Sequence, residues 1–206
     1  MAGDAREQKP MKHQFAAAAI AVALVASPVH AASGLDCLDR GYTAAEQAQI
    51  DRFHADFSFE KFSNDATSDQ VLDPLIQGIS NRAAACSQQN RWSDPAFEQA
   101  MYYKIYSSLA RAMERRAPIA QAVVVKIKAG TTGADRLKLK QIFLPTLASA
   151  GTGAPAPGIS AEHQTFIEQF LTRNGIPTDQ VTSEFFGAWV AAELGAEVAF
   201  EKFAKE

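Results

Sequence analysis

Few residues of this chain could carry out acid–base or metal chemistry. The chain has four histidines among 206 residues, and two of them, His13 and His30, lie in the N-terminal 31 residues. Asp51 and His54 are three residues apart, which places both on one face of a helix, as an acid–base pair or two metal ligands would need. A metal site also needs further ligands, and none follows at a recognisable spacing. We therefore interpret His54 as a surface histidine beside an acid, and we interpret His163 in the same way.

The sequence lacks the motifs of common enzyme classes. It has no Gly-x-Ser-x-Gly elbow, His-Glu-x-x-His helix, phosphate-binding glycine loop or Cys-x-x-Cys pair. Glu193, Glu197 and Glu201 recur at every fourth residue and resemble a row of acidic ligands, but the neighbouring Lys202 and Lys205 favour a solvated helix face. We predict no cofactor and no metal, and a catalytic function is the less favoured one.

The N-terminus has the pattern of a secretory signal peptide. Lys12 and His13 precede an apolar run over residues 15–26, and Ser27-Pro28-Val29-His30-Ala31 offers small side chains to a signal peptidase. The apolar run is shorter than the roughly 20 residues that a membrane-spanning helix needs. The sequence therefore predicts export with cleavage after Ala31, and a mature chain that is periplasmic or secreted and has no transmembrane segment. Translation could start at Met1 or at Met11.

The chain has two cysteines, Cys37 and Cys86. An even number of cysteines in an exported protein favours a disulfide, because the compartment is oxidising. A redox pair would usually be spaced as Cys-x-x-Cys, which these two are not. We predict a structural disulfide that fixes the segment over residues 33–41 to the second helix.

Positive charge is concentrated between residues 111 and 140. This stretch has eight basic residues against Glu114 and Asp135, although the whole chain has a net charge of −3. Such a surface could bind an acidic protein or an anionic envelope component, such as lipid head groups or lipopolysaccharide. The alternative is that these residues are polar helix faces, balanced in space by acidic ones. Nucleic acid is not expected as a partner. The basic residues are Arg111, Arg115, Arg116, Lys126, Lys128, Arg136, Lys138 and Lys140.

Helical signals recur along residues 32–206. A capping box, Thr43-Ala-Ala-Glu46, begins the first helix, and Ser93-Asp94-Pro95 begins the third. The second helix is predicted over residues 68–88, and Asp73-Pro74 indicates a break in it. Ser160 caps the fifth helix and the sixth runs from Asp179. The sequence predicts a single all-α domain, an irregular bundle of about six helices after a cleaved signal peptide, with a Gly/Ala/Pro-rich loop over residues 149–159.

Residues 117–147 allow two interpretations. Read as helices, they run from Pro118 to Lys128, with Gly130 as the cap, and from Ala134 to Leu147. Read as strands, two runs with period two flank a Gly-Thr-Thr-Gly turn and form a β-hairpin around residues 122–143. The helical neighbours favour the helices.

These observations lead to two functional hypotheses. The first is an exported, non-catalytic helical protein that binds a partner protein, an envelope component or an apolar ligand. The alternative is a periplasmic hydrolase whose site is assembled from dispersed carboxylates with His54 or His163. A concave pocket that holds either histidine together with carboxylates would favour the enzyme.

Overall fold

The computed structural model describes residues 32–64, 66–149 and 158–206. Within these ranges the chain forms eight α-helices, a short 3₁₀ helix over Leu35–Asp39, and no β-strand, which confirms the predicted all-α fold. The α-helices are α1 Ala44–Asp56, α2 Phe59–Phe62, α3 Ser68–Asn90, α4 Asp94–Arg115, α5 Gln121–Gly130, α6 Gly133–Ser149, α7 Ala161–Arg173 and α8 Gln180–Phe203. The predicted signal peptide, and residues 150–157 of the predicted loop, lie outside the described residues.

Polar caps determine where several helices begin. The Thr43 Oγ1 accepts a hydrogen bond from the Glu46 backbone N–H at 3.3 Å, and the Glu46 carboxylate accepts one from the Thr43 N–H at 2.7 Å, which confirms the capping box. The side chains of Ser93, Ser160 and Asp179 likewise accept a backbone N–H in the first turns of α4, α7 and α8. Each cap satisfies a donor that has no partner inside its helix.

Residues 121–130 and 133–149 form α5 and α6, so the alternative β-hairpin around residues 122–143 is wrong. The helix α5 begins at Gln121 rather than at the predicted Pro118, and Gly130 is its last residue rather than its cap. The buried residues of α6 are Leu139, Ile142 and Phe143, and those of α5 are Val124 and Ile127. These spacings of three and four are helical, whereas a half-buried strand would bury every second residue. The period-two pattern arose because Val, Ile and Leu also occupy exposed positions, among them Val125 and Leu137.

Two prolines of the described chain lie beyond the first turn of a helix, Pro74 in α3 and Pro145 in α6. The break indicated by Asp73-Pro74 does not occur, because α3 continues through Pro74, and α6 continues through Pro145. A proline removes one backbone donor and crowds the preceding turn. In α3 a buried stripe begins directly after the proline and fixes the helix against the core, which outweighs that loss. The stripe consists of Leu75, Gly78, Ile79, Ala83 and Cys86.

The helices α4 and α8 form the most extensive contact in the described chain. The apolar face of α8 is buried, including Phe185, Trp189 and Phe203. A Cβ added at Gly195 would lie 2.9 Å from the Tyr106 ring, so glycine is what lets α4 approach α8 this closely. On its other side, α4 packs against α3, and α3 packs against α1.

The N-terminal segment is fixed by the predicted disulfide. The Sγ atoms of Cys37 and Cys86 are bonded at 2.06 Å, which joins the 3₁₀ helix to α3. The Arg82 Nε donates to the Cys37 carbonyl at 3.0 Å, and the Trp92 Nε1 donates to the Ser33 carbonyl at 2.7 Å. In the chain-entropy model, closing a loop of 49 residues stabilises the fold by about 4 kcal/mol.

The search for membrane spans covered the described helices. None of these helices combines the length and the apolar character that crossing a bilayer requires.

Candidate anion-binding face on α4

The acidic row of α8 faces the basic residues of α6. Arg136 Nη2 lies 2.7 Å from a Glu197 carboxylate oxygen, and Lys140 Nζ lies 2.8 Å from Glu197 and 2.7 Å from Glu201. Within this network, hydrogen bonds from Lys140 and Arg136 lower the pKa of Glu197 although its partial burial opposes them. Two members of the acidic row that we interpreted as a solvated face, Glu197 and Glu201, therefore belong to an ion-pair network between two helices.

Three further basic residues of the 111–140 stretch are also engaged. Lys128 Nζ lies 2.7 Å from the Glu114 carboxylate, which in addition accepts a hydrogen bond from the Trp189 Nε1 at 3.2 Å. Lys138 Nζ lies 3.8 Å from Glu162. Lys126 Nζ donates to the Gly175 carbonyl at 2.9 Å. The positive charge of α5 and α6 is thus largely balanced by nearby carboxylates.

The three arginines on α4 and at its C-terminal cap differ from these residues. Arg111, Arg115 and Arg116 are exposed, and none of them forms an ion pair with a carboxylate of the described chain. The Arg116 Nη2 donates to the Ala55 carbonyl at 3.3 Å, which places the end of α4 against the end of α1. We refer to these three residues as the arginine face.

His54 lies on α1 beside the arginine face. Burial lowers the pKa of His54, and the nearby cations Arg115, Arg111 and Lys104 lower it further against the opposing effect of Asp51. The buried Nδ1 of His54 has no hydrogen-bond partner in the described chain. Asp51 instead accepts a hydrogen bond from the Gln47 side chain at 2.8 Å. The acid–base pairing that the Asp51–His54 spacing offered is therefore not formed.

The hydrolase alternative needs a different arrangement. His163 lies in the first turn of α7, where its backbone N–H donates a hydrogen bond to the Ser160 Oγ at 3.3 Å. The clefts on α4–α8, on α1–α3 and on α7 are lined by neither His163 nor His54. No group of three metal-ligating side chains occurs in the part of the chain that the structure describes. Neither histidine is thus brought together with convergent carboxylates in these clefts.

A cleft of about 340 Å³ adjoins the arginine face between α4, α6 and α8. Tyr103 and Phe200 form an aromatic pair in it, with ring centroids 6.0 Å apart, and Phe200 is 51 % exposed. Arg111 also lines the cleft. Half-buried Glu193 lies at its α8 side, and burial raises the pKa of this carboxyl, assisted by Glu114 and opposed chiefly by Arg136. The residues that line this cleft could not be identified from the sequence, because the burial of Glu193 depends on packing between helices that are distant in the chain.

Comparison with protein-family models, with curated proteins and with solved structures gives no match. The function must therefore be inferred from the residues of the arginine face and from those around it.

Proposed function

We propose that this chain is an exported, non-catalytic helical protein that binds an acidic partner protein through the arginine face. The observation that carries the proposal is the absence of a carboxylate partner for Arg111, Arg115 and Arg116 within the described chain. Their charges remain available, whereas those of Lys128, Arg136 and Lys140 are balanced within the fold. Export is supported by the signal-peptide pattern and by the disulfide, which is typical of oxidising compartments.

The composition of the surface favours a protein over a lipid surface as the partner. Arginine and tyrosine are enriched at the centres of protein interfaces, where they contribute most of the binding energy. Arg111 lies in one cleft with Tyr103 and the half-exposed Phe200. A guanidinium also matches a carboxylate with two parallel hydrogen bonds, so acidic side chains are its best protein ligands.

A charge variant with a matched control tests the proposal. We would secrete and purify the oxidised full chain, cross-link it in its own host's envelope extract, and purify the partner for affinity measurements. The triple variant Arg111→Gln/Arg115→Gln/Arg116→Gln removes the arginine face. The control Lys61→Gln/Lys202→Gln/Lys205→Gln removes the same charge from exposed positions elsewhere.

We expect the first variant to weaken binding by at least about tenfold, because arginine is enriched among the few interface residues whose loss costs about 2 kcal/mol or more. The control should retain most of the affinity. Added salt should weaken partner binding by the wild type, and it should have little effect on the residual affinity of the arginine variant. Equal affinities of the two triple variants for the purified partner would contradict the proposal.

A further inference from the structure

The junction between α1 and α4 has a second set of groups that can contact a ligand. The Arg116–Ala55 hydrogen bond of 3.3 Å joins the ends of the two helices. His54 directly precedes Ala55, and Arg115 directly precedes Arg116. Arg111 lies one turn before Arg115 on the same helix, because residues four apart share a face. Arg111 and Arg115 both act on the His54 imidazole, so the imidazole and the two guanidinium groups lie in one region of the surface beside this junction.

The surroundings of His54 determine which of its nitrogens carries the proton. Its Nδ1 is buried without a partner. A buried N–H without an acceptor is rarer and more costly than an unpaired acceptor, so we assign the proton of the neutral ring to Nε2. The Nε2 has no hydrogen bond within the described chain and is not among its buried, unpartnered atoms, so it is open to solvent. The ring therefore presents one N–H donor to a ligand.

Charged groups from both helices act on this imidazole. From α1 there is Asp51, and one of its carboxylate oxygens is occupied by Gln47. From α4 there are Lys104, Arg111 and Arg115. Lys104 is paired with Asp39 at 2.8 Å, so its charge is balanced. Neither arginine forms an ion pair within the described chain, although Arg111 also acts on Glu193 across the cleft between α4 and α8, so both retain donors for a ligand.

We propose that His54, Arg111 and Arg115 together hold one oxyanion, a carboxylate or phosphate group. This inference rests on the proposed function, because it assigns the chemical group that the arginine face recognises. The imidazole supplies a directed N–H donor and the guanidiniums supply charge and further donors, which is a common combination for binding oxyanions. An oxyanion placed there offsets the cations that oppose protonation of His54, so binding of the anion and uptake of a proton by His54 favour one another. The site binds its anion more tightly as the pH falls, by about tenfold once the ring is protonated.

The experiment is an NMR titration of the histidine ring signals in the oxidised protein, with the N-terminal residues 1–31 removed so that His54 and His163 alone report. The pKa of each ring is measured in NaCl, in inorganic phosphate and in acetate, at constant ionic strength. His54→Gln assigns the signals. We expect phosphate, acetate or both to raise the pKa of His54 and to leave that of His163 unchanged. A response to phosphate alone identifies a phosphate ligand, and a response to acetate identifies a carboxylate.

Two variants test whether the effect is local. Arg115→Gln should abolish the response of His54, whereas Arg52→Gln, which removes an exposed cation two residues before His54 on α1, should retain it. Absence of any response of His54, an equal response of His163, or equal loss in both variants would overturn the oxyanion site. Partner binding that survives such a result leaves the proposed function intact. Conversely, an anion response at His54 without a partner that depends on the arginine face would overturn the proposed function alone.

Discussion

Two regions of the molecule use basic residues in opposite ways. Between α6 and α8, Arg136 and Lys140 point at Glu197 and Glu201 and contribute to holding the two helices together. At the junction of α1 and α4, Arg111 and Arg115 lie exposed with no carboxylate partner in the described chain. A run of charge in the sequence therefore combines residues that stabilise the fold with residues that are free to bind. Only the three-dimensional pairing separates the two groups.

The largest effect is expected from breaking the network between α6 and α8. Lys140→Met retains the aliphatic stem and removes the ammonium group that contacts both Glu197 and Glu201. Because the Lys140 side chain is only 20 % exposed, we expect a loss of about 1 kcal/mol in the free energy of unfolding. Urea denaturation measures this loss. Lys138→Met on the same helix is the control, since its 3.8 Å pair with Glu162 is more exposed and should contribute less. Equal losses of unfolding free energy in the two variants would show that the network between α6 and α8 stabilises the fold no more than an exposed ion pair does.

Two glutamates of α8 should respond with opposite signs. The pKa of Glu193 is raised, chiefly by burial, so its charged form disfavours the folded state, whereas ion pairing lowers the pKa of Glu197. We expect Glu193→Gln to raise the melting temperature at neutral pH and Glu197→Gln to lower it. As the pH falls, the effect of Glu193→Gln should fade before the pH reaches 4.5, because the folded carboxyl takes up its proton above the ordinary glutamate pKa. The effect of Glu197→Gln should fade only below 4.5, because its folded carboxyl stays charged there. A lower melting temperature for Glu193→Gln at neutral pH would mean that Arg136 outweighs the burial.

The sequence predicted the helices and the disulfide better than it predicted the candidate functional site. Caps such as Thr43 and Ser93 depend on residues within one turn, and the disulfide follows from an even cysteine count, so both could be predicted. The ion pairs of Lys140 join residues 57 and 61 positions away, and no local pattern encodes them. Buried Lys104 had a usable signal, since it lies on the same stripe of α4 as buried Ala100 and Ser108.

The arginine face itself could not be separated from the rest of the basic stretch. Arg111, Arg115, Lys138 and Lys140 look equivalent in sequence, and their difference arises from which helix packs opposite each of them. The proximity of His54 to Arg115 depends on the contact between the ends of α1 and α4, which are distant in sequence. Local spacing instead suggested Asp51 as the partner of His54.

At the α1–α4 junction, we expect His54 to have a smaller effect, on the pH dependence of the melting temperature. The folded chain binds a proton at His54 less readily than the unfolded chain, because the pKa is lowered in the fold. As the pH falls through 6.5, the ordinary pKa of histidine, the unfolded state gains protons first and stability falls until the folded ring is protonated too. We expect His54→Gln to reduce the fall in melting temperature between about pH 7.5 and about pH 5.5. An undiminished fall in the His54 variant would contradict the cationic environment.

Changes in the arginine face should have the smallest effect on the free energy of unfolding. A small effect is the informative result. Arg111 and Arg115 repel each other at a spacing of four, which opposes folding by a few tenths of a kcal/mol. Cations in the last turn of a helix favour it by a similar amount through the helix dipole, and this applies to Arg115. These contributions nearly cancel, so the double change Arg111→Gln/Arg115→Gln, which keeps the Arg116–Ala55 hydrogen bond, should alter the free energy of unfolding by less than about 0.5 kcal/mol in urea denaturation. A loss as large as that of Lys140→Met would show that these arginines stabilise the fold. A negligible loss combined with weakened partner binding separates the two uses of positive charge, because the residues that bind would then be those that the fold does not need.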